Sequence, residues 1–289
     1  LQALPGLQRL VDTFADMPLY QSTWAGLLYH LALLRRDQGN LVQARQLLEN
    51  AVGHQQLVFR ANPGDPGYLW EQYKLLGDVL LLLGDHEAAS RMAAEWARSF
   101  PEDWKALIMA TQNQIRCVTV AAKDRRLSAA QRAALGRAYG EAARGLLGKA
   151  IQQVRKDPEA QNKIAWFLLT CWDAHFRDPA QALELAAQAV VRQPRAPNYW
   201  HTLGVAHYRL GHWQAAIDAL DKEIKFRGGP DSTDGFFLAM ARWQLGDKEG
   251  ANLCFDRAVW GMRNEVPGEE EARRVRDEAS ALLGKSKRR

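Results

Sequence analysis

The sequence predicts an all-α protein built from antiparallel helix hairpins, and three observations carry that prediction. Apolar residues recur at helical spacing in blocks that end at glycine-containing turns, among them Gly39-Asn40, Gly84-Asp85 and Gly211. The blocks also return in register. Moving about 35 residues on from the block Asn198–Phe226 places Leu238 over Leu203, Gly246 over Gly211, Ala251 over Ala216 and Phe255 over Leu220. Moving about 34 residues back places Leu169 under Leu203 and Ala182 under Ala216. The third observation is steric: Gly204, Ala216 and Ala251 are small where two helix axes must cross closely. One hairpin of this size cannot bury its apolar face alone, so neighbouring hairpins must stack on it.

The elements follow in order. Residues 1–18 form a leader helix closed by Pro18, and 19–63 an extended hairpin that turns at Gly39-Asn40 and closes at Asn62-Pro63-Gly64. Residues 67–101 form a second hairpin, whose Leu76, Gly77, Gly84 and Ala89 match Leu31, Ala32, Gly39 and Ala44 at a constant offset. That offset exceeds the usual period by about 11 residues, close to three helical turns, which returns each side chain to its face if the excess is helix. Residues 102–156 read as an elongated, degenerate hairpin, with Ser128 and Gln131 as a capping box. Three more hairpins follow at 157–195, 196–230 and 231–264; Asp157-Pro158 and Asp178-Pro179 each join an N-cap to proline at the first helical position. Residues 267–284 put Ala272, Val275, Ala279 and Leu282 on one stripe and read as a capping helix, followed by a basic tail.

Of the 289 residues, 47% are hydrophobic and 25% charged, the balance of a folded globular chain. The net charge of +5 is spread among acidic residues, with no basic stripe of the kind nucleic acid requires. Cys117, Cys171 and Cys254 lie far apart inside apolar helical runs and read as buried thiols of a reducing, cytoplasmic setting. The apolar run Val79–Leu83 stops at Gly84-Asp85, far short of a membrane span. A start at Leu1 reads as a fragment with sequence upstream.

The order of Trp200, Leu203-Gly204, Gly211, Ala216 and Leu220 resembles the tetratricopeptide repeat. That resemblance implies a right-handed solenoid. The run Asn162–Cys171, the phrase Phe176–Pro179 with Ala182–Ala186, Gly84–Ala89 and Arg116–Val118 further resemble the repeat tails of bacterial eukaryotic-type serine/threonine kinases. His207 in the usual Tyr slot and Glu223 in a usual Ala slot depart from the repeat pattern. The second resemblance implies a non-catalytic tail of a kinase whose catalytic domain lies upstream. This sequence contains no glycine-rich phosphate loop and no V-A-I-K, H-R-D or D-F-G motif, the groups that phosphoryl transfer needs.

The expected function is therefore protein or peptide binding in a concave groove, without catalysis, cofactor, metal or membrane contact. With Trp200, Leu203 and Gly204 facing the partner helix, the opposite side carries His201, Val205, Tyr208 and Arg209. The equivalents are Phe236, Met240, Trp243 and Gln244 in the next hairpin, and Phe167, Cys171 and His175 in the one before. Of these, His175, His201, Tyr208, Arg209, Phe236 and Trp243 are the expected partner contacts, being rich in the aromatic and arginine side chains that dominate interfaces. The same residues packing between hairpins is the competing reading. His201, His207 and His212 lack the further ligands that a zinc site needs. Two alternatives accompany this function: a regulatory tail packed on its own kinase domain, and helical-repeat RNA binding, which would read bases through side chains at fixed repeat positions.

Overall fold

The computed structural model describes residues 4–62, 68–229, 232–262 and 270–285. The expected turn at Pro63-Gly64, the helix start at Glu269 and the basic tail from Ser286 fall outside them. The described residues form fourteen α-helices, one short 3-10 turn and no strand, so the all-α class holds. The chain divides into two compact units, Leu1–Gln153 and Val154–Arg289.

The first unit contains α1 (Leu4–Thr13) and the hairpins α2 (Pro18–Asp37) with α3 (Leu41–Ala61), α4 (Leu69–Leu82) with α5 (His86–Ser99), and α6 (Trp104–Lys123) with α7 (Ala129–Gln153). The leader helix ends earlier than Pro18 suggests, and buries Val11 against Trp24 and Leu28 of α2. With 21 residues in α3 and 14 in α5, about two of the three extra turns are helix. The core of this unit is the aromatic stack of α4 and α5. Trp96 and Tyr73 are fully buried and lie ring on ring at 5.5 Å, with Trp70 edge-on to Trp96 at 5.6 Å. The turn into α7 uses no glycine: Ser128 and Gln131 cap one another, each backbone N–H donating to the other's side chain at 2.8 and 3.3 Å.

The second unit contains α8 (Pro158–Thr170) with α9 (Pro179–Arg192), α10 (Pro197–Arg209) with α11 (Trp213–Arg227), α12 (Ser232–Gln244) with α13 (Lys248–Met262), and α14 (Glu270–Leu282). The second and third hairpins repeat at 35 residues, helix for helix. The first has a longer connection, which holds the 3-10 turn Ala174–Phe176. Asp157 and Asp178 cap their helices as the sequence indicates, accepting from Ala160 N at 3.1 Å and Gln181 N at 2.9 Å.

Four hairpin turns share one mechanism. At Gly39, Gly84, Gly211 and Gly246 the backbone is left-handed, with φ between 74° and 89°. The glycine N–H and the next N–H then bond back to two of the last carbonyls of the helix, as from Gly84 to Leu81 (3.1 Å) and from Asp85 to Leu80 (2.9 Å). After three of these glycines comes Asn40, Asp85 or Asp247, whose side chain caps the second helix. Between helices, Gly204 makes the close approach: a Cβ there would lie 2.7 Å from Leu220 Cγ of α11.

Candidate functional site

The first helices of the second unit carry most of the expected contact residues, and the structure redistributes them. His201 is largely buried; its Nδ1 hydrogen-bonds Asp234 Oδ1 of α12, and its ring lies 5.0 Å from Trp166 of α8. Tyr208 is buried, donates its hydroxyl to Met240 Sδ at 3.3 Å, and sits 5.4 Å from Phe237 and 5.3 Å from Trp213. Both side chains therefore join hairpins, as does Met240, which accepts from Tyr208; Val205, and Phe167 and Cys171 of the preceding hairpin, are buried as well. Phe236 turns the other way from the expectation and packs on Phe255 of its own hairpin at 5.5 Å. It is the adjacent Phe237 that meets His201 and Tyr208. One residue rotates a helical side chain by about 100°, so the offset alone could not separate these two.

His175 leaves the helix altogether. It lies exposed on the 3-10 turn, with its N–H and Nδ1 both on Asp173 Oδ1. Trp243 stays half-buried at the end of α12, with Lys248 Nζ 3.5 Å from its ring centroid, and Gln244 is exposed. His207 and His212 approach to 3.4 Å at the turn between α10 and α11, and no set of three metal-ligating residues occurs among the described residues.

Arg209 is the expected residue that meets a helix from outside the hairpins. Its guanidinium is forked onto both carboxylate oxygens of Glu278 on α14, at 2.8 Å for the Nη2–Oε2 bond. The same group lies over Tyr208 and Phe237, 5.6 and 5.5 Å from their centroids. Helix α14 packs on α12. It buries Ala272, Val275 and Ala279, and the stripe is completed by Leu283 just past its end, the expected Leu282 being half-buried. Beyond α14, Lys285 reaches α13 and pairs with Asp256 at 2.6 Å. With α14 in place every residue from Asp234 to Ala241 is buried, which a helix achieves only when covered all round. The first-helix face of α10 and α12 thus already holds a helix, through an apolar stripe and one forked ion pair.

A charge cluster with two buried carboxylates was not assembled from the sequence. Glu223 and Asp234 are fully buried, and Arg227 bonds Glu223 at 2.5 Å and lies 3.7 Å from Asp234. With His201 they tie α10, α11 and α12 together. Glu223 did announce itself as a departure from the repeat pattern; its partner on the following helix could not be inferred from spacing. Burial pushes the Asp234 carboxyl up, but the hydrogen bond and charge of His201, a hydrogen bond with Glu223 and the charge of Arg227 outweigh it and hold the group at about 2. A folded value below the unfolded one means stability that is complete above about pH 4 and lost as pH falls towards 2. The second unit is expected to lose about 2 kcal/mol over that interval in excess of Asp234→Asn, measured by urea unfolding at each pH. Identical acid profiles for the two proteins would remove Asp234 as the source.

The thiols follow their burial. Cys117 is buried and pushed up to about 12, and burial also raises Cys171 and half-buried Cys254. No helix among the described residues is long and apolar enough to cross a membrane.

Comparison with known proteins agrees with this architecture. The profile of the tetratricopeptide repeat family matches residues 176–233, which run through α9, α10 and α11 into α12. A tetratricopeptide repeat protein from Parabacteroides merdae ATCC 43184 superposes with a TM-score of 0.53 at 12% identity, over 91% of this chain and 88% of its own. MamA residues 41 to the end from Desulfovibrio magneticus RS-1 gives 0.44 at 19% identity, over 68% of this chain and 96% of its own. PilF of Pseudomonas aeruginosa gives 0.46 at 15% identity, over 89% and 99%. No curated protein sequence matches the chain. The tetratricopeptide reading therefore holds for residues 176–233, where the profile matches, and the Parabacteroides structure shares the all-α hairpin fold over most of the chain. None of these matches bears on the kinase-tail resemblance.

Proposed function

We propose that the chain is a non-catalytic protein-interaction scaffold that receives a helical segment of a partner protein on the first-helix face of α10 and α12. One observation carries this reading: α14 lies on that face, seated by Ala272, Val275, Ala279 and Leu283 and clamped by Arg209 on Glu278. The chemistry that holds α14 is the chemistry of helix-in-groove recognition, in which apolar residues at helical spacing enter a groove and a charge fixes the register. A partner helix with the same stripe and a carboxylate at the Glu278 position fits the face by displacing α14. The tetratricopeptide fold supports protein partners in general.

The test is a titration. The chain ended at Met262 is mixed with a synthetic peptide of residues 270–285, with circular dichroism confirming that the shortened chain keeps its helices. Saturable one-to-one binding, weakened by Glu278→Ala in the peptide, is the expected result. A folded shortened chain that ignores the peptide would overturn the reading.

A further inference from the structure

The first unit offers a second surface, separate from the face that α14 fills. A cleft of about 680 Å³ opens between α5 and α7, with α6 beneath. This is within the size range of ligand pockets, roughly 300–1,000 Å³. Its floor is closed: Leu107 and Gln114 of α6 are 1% and 2% exposed. Gln114 is satisfied there, accepting from Ser90 Oγ at 2.9 Å and donating to Ser90 O at 3.1 Å. Both walls pack on α6, leaving a gap between them. On the α7 wall Gly145 faces open space, since a Cβ built there meets nothing within 4 Å.

The charges at this cleft are unequal. Arg91 and Arg98 of α5 and Lys149 of α7 line it, all three exposed, and among the described residues none of them forms an ion pair. The lining contains a single carboxylate, Glu95, which accepts a hydrogen bond from Gln56 Nε2 at 2.6 Å. Arg45 and Arg116 of the same unit do pair, with Glu49 and Asp85 and with Asp78, whereas the three at the cleft do not. Three unpaired cations around an apolar cleft form an electrostatic template for an anionic ligand.

Geometry narrows the ligand. Arg91 and Arg98 stand seven residues apart on one helix, two turns and about 10.5 Å along its axis. Carboxylates with the same separation occur at positions i and i+7 of another helix. The small side of that helix could come close to α7 at Gly145, where no side chain intervenes.

We propose that this cleft docks an acidic helical segment of a partner protein, with carboxylates two turns apart on Arg91 and Arg98, a further carboxylate on Lys149 and a small apolar face against Gly145. The site goes beyond the first-helix face and uses none of its residues.

The experiment is selection of a displayed library of 15-residue helix-forming peptides on the full chain. Enrichment of Asp and Glu at i and i+7 is expected. A selected peptide is then expected to bind at least tenfold more weakly to Arg91→Glu/Arg98→Glu, to weaken with added salt, and to be lost on Gly145→Leu. Gly145→Leu fills the cleft rather than the core, so its melting temperature serves as the control of fold; the surface charge reversal gives a second, independent variant. Selected peptides without acidic enrichment, or binding that survives both variants, would overturn the proposal. So would self-association of the chain, or retention of a single-stranded RNA oligonucleotide, that the two variants abolish while the acidic peptide still binds. Peptides lost on Arg209→Glu alone would belong to the α14 face and would also count against the cleft. Because the two surfaces share no residue, failure here leaves the first-helix reading intact.

Discussion

Replacing Trp96 with alanine is expected to destabilise the first unit by about 3–5 kcal/mol, the range for emptying a buried large aromatic site. Trp96 is fully buried, stacked on Tyr73 at an interplanar angle of 14° and met edge-on by Trp70. Trp70 in turn touches Phe100, and Phe100 touches Phe59 of α3, so one ring holds a chain of aromatics that joins two hairpins. Helix α5 cannot repair the loss. Its other buried apolar residues are alanines, too small to fill an indole-sized void, and Met92, whose Cε is already packed against Gly77 of α4. Urea unfolding followed by far-ultraviolet circular dichroism measures the effect, and Trp96→Phe should recover part of it. A loss below about 1 kcal/mol would mean that the void collapses and that the stack is not the core of the unit.

Gly204→Ala should destabilise the second unit by about 1–3 kcal/mol, although alanine in place of glycine within a helix ordinarily stabilises. The added carbon would sit 2.7 Å from Leu220 Cγ, 2.9 Å from Leu220 Cδ2 and 3.3 Å from the carbonyl oxygen of Ala216. Leu220 is fully buried and has nowhere to retreat, so α10 and α11 must separate. Gly145→Ala is the matched control: with nothing within 4 Å of the new carbon, it should follow the ordinary helix preference and stabilise by up to about 1 kcal/mol. Adding Leu220→Ala to Gly204→Ala should cost less than the sum of the two changes, because the smaller residue makes the room that the alanine lacks. A neutral or stabilising Gly204→Ala would contradict the close crossing.

The turns and hairpins were legible because their chemistry is local. A glycine turn, an Asp-Pro helix start and a Ser-x-x-Gln box each specify backbone geometry within a few residues, and Gly84, Asp157-Pro158 and Ser128-Gln131 all act as read, the cap by Asp85 being added by the structure. The 35-residue register from α10 to α12 was equally plain. The fate of the outward-facing residues was not. Periodicity tells which side chains leave the stripe that faces the partner helix; it does not tell whether solvent, a ligand or the next hairpin receives them. His201 and Tyr208 met the next hairpin, and Phe237 took the place that a simple offset assigns to Phe236. Helix α14 shows the same limit. Its amphipathic stripe promised burial, but only the fold brings Glu278 to Arg209, 69 residues earlier in the chain.

The decisive measurement is binding of the 270–285 peptide to the chain ended at Met262 with the Arg209–Glu278 clamp reversed. Arg209→Glu in the chain or Glu278→Arg in the peptide should each weaken binding, and the two together should restore it, because the opposed charges would face one another again. Equal affinity in all four combinations would show that α14 finds no specific seat on α10 and α12, and the account of this face as a helix dock would be wrong.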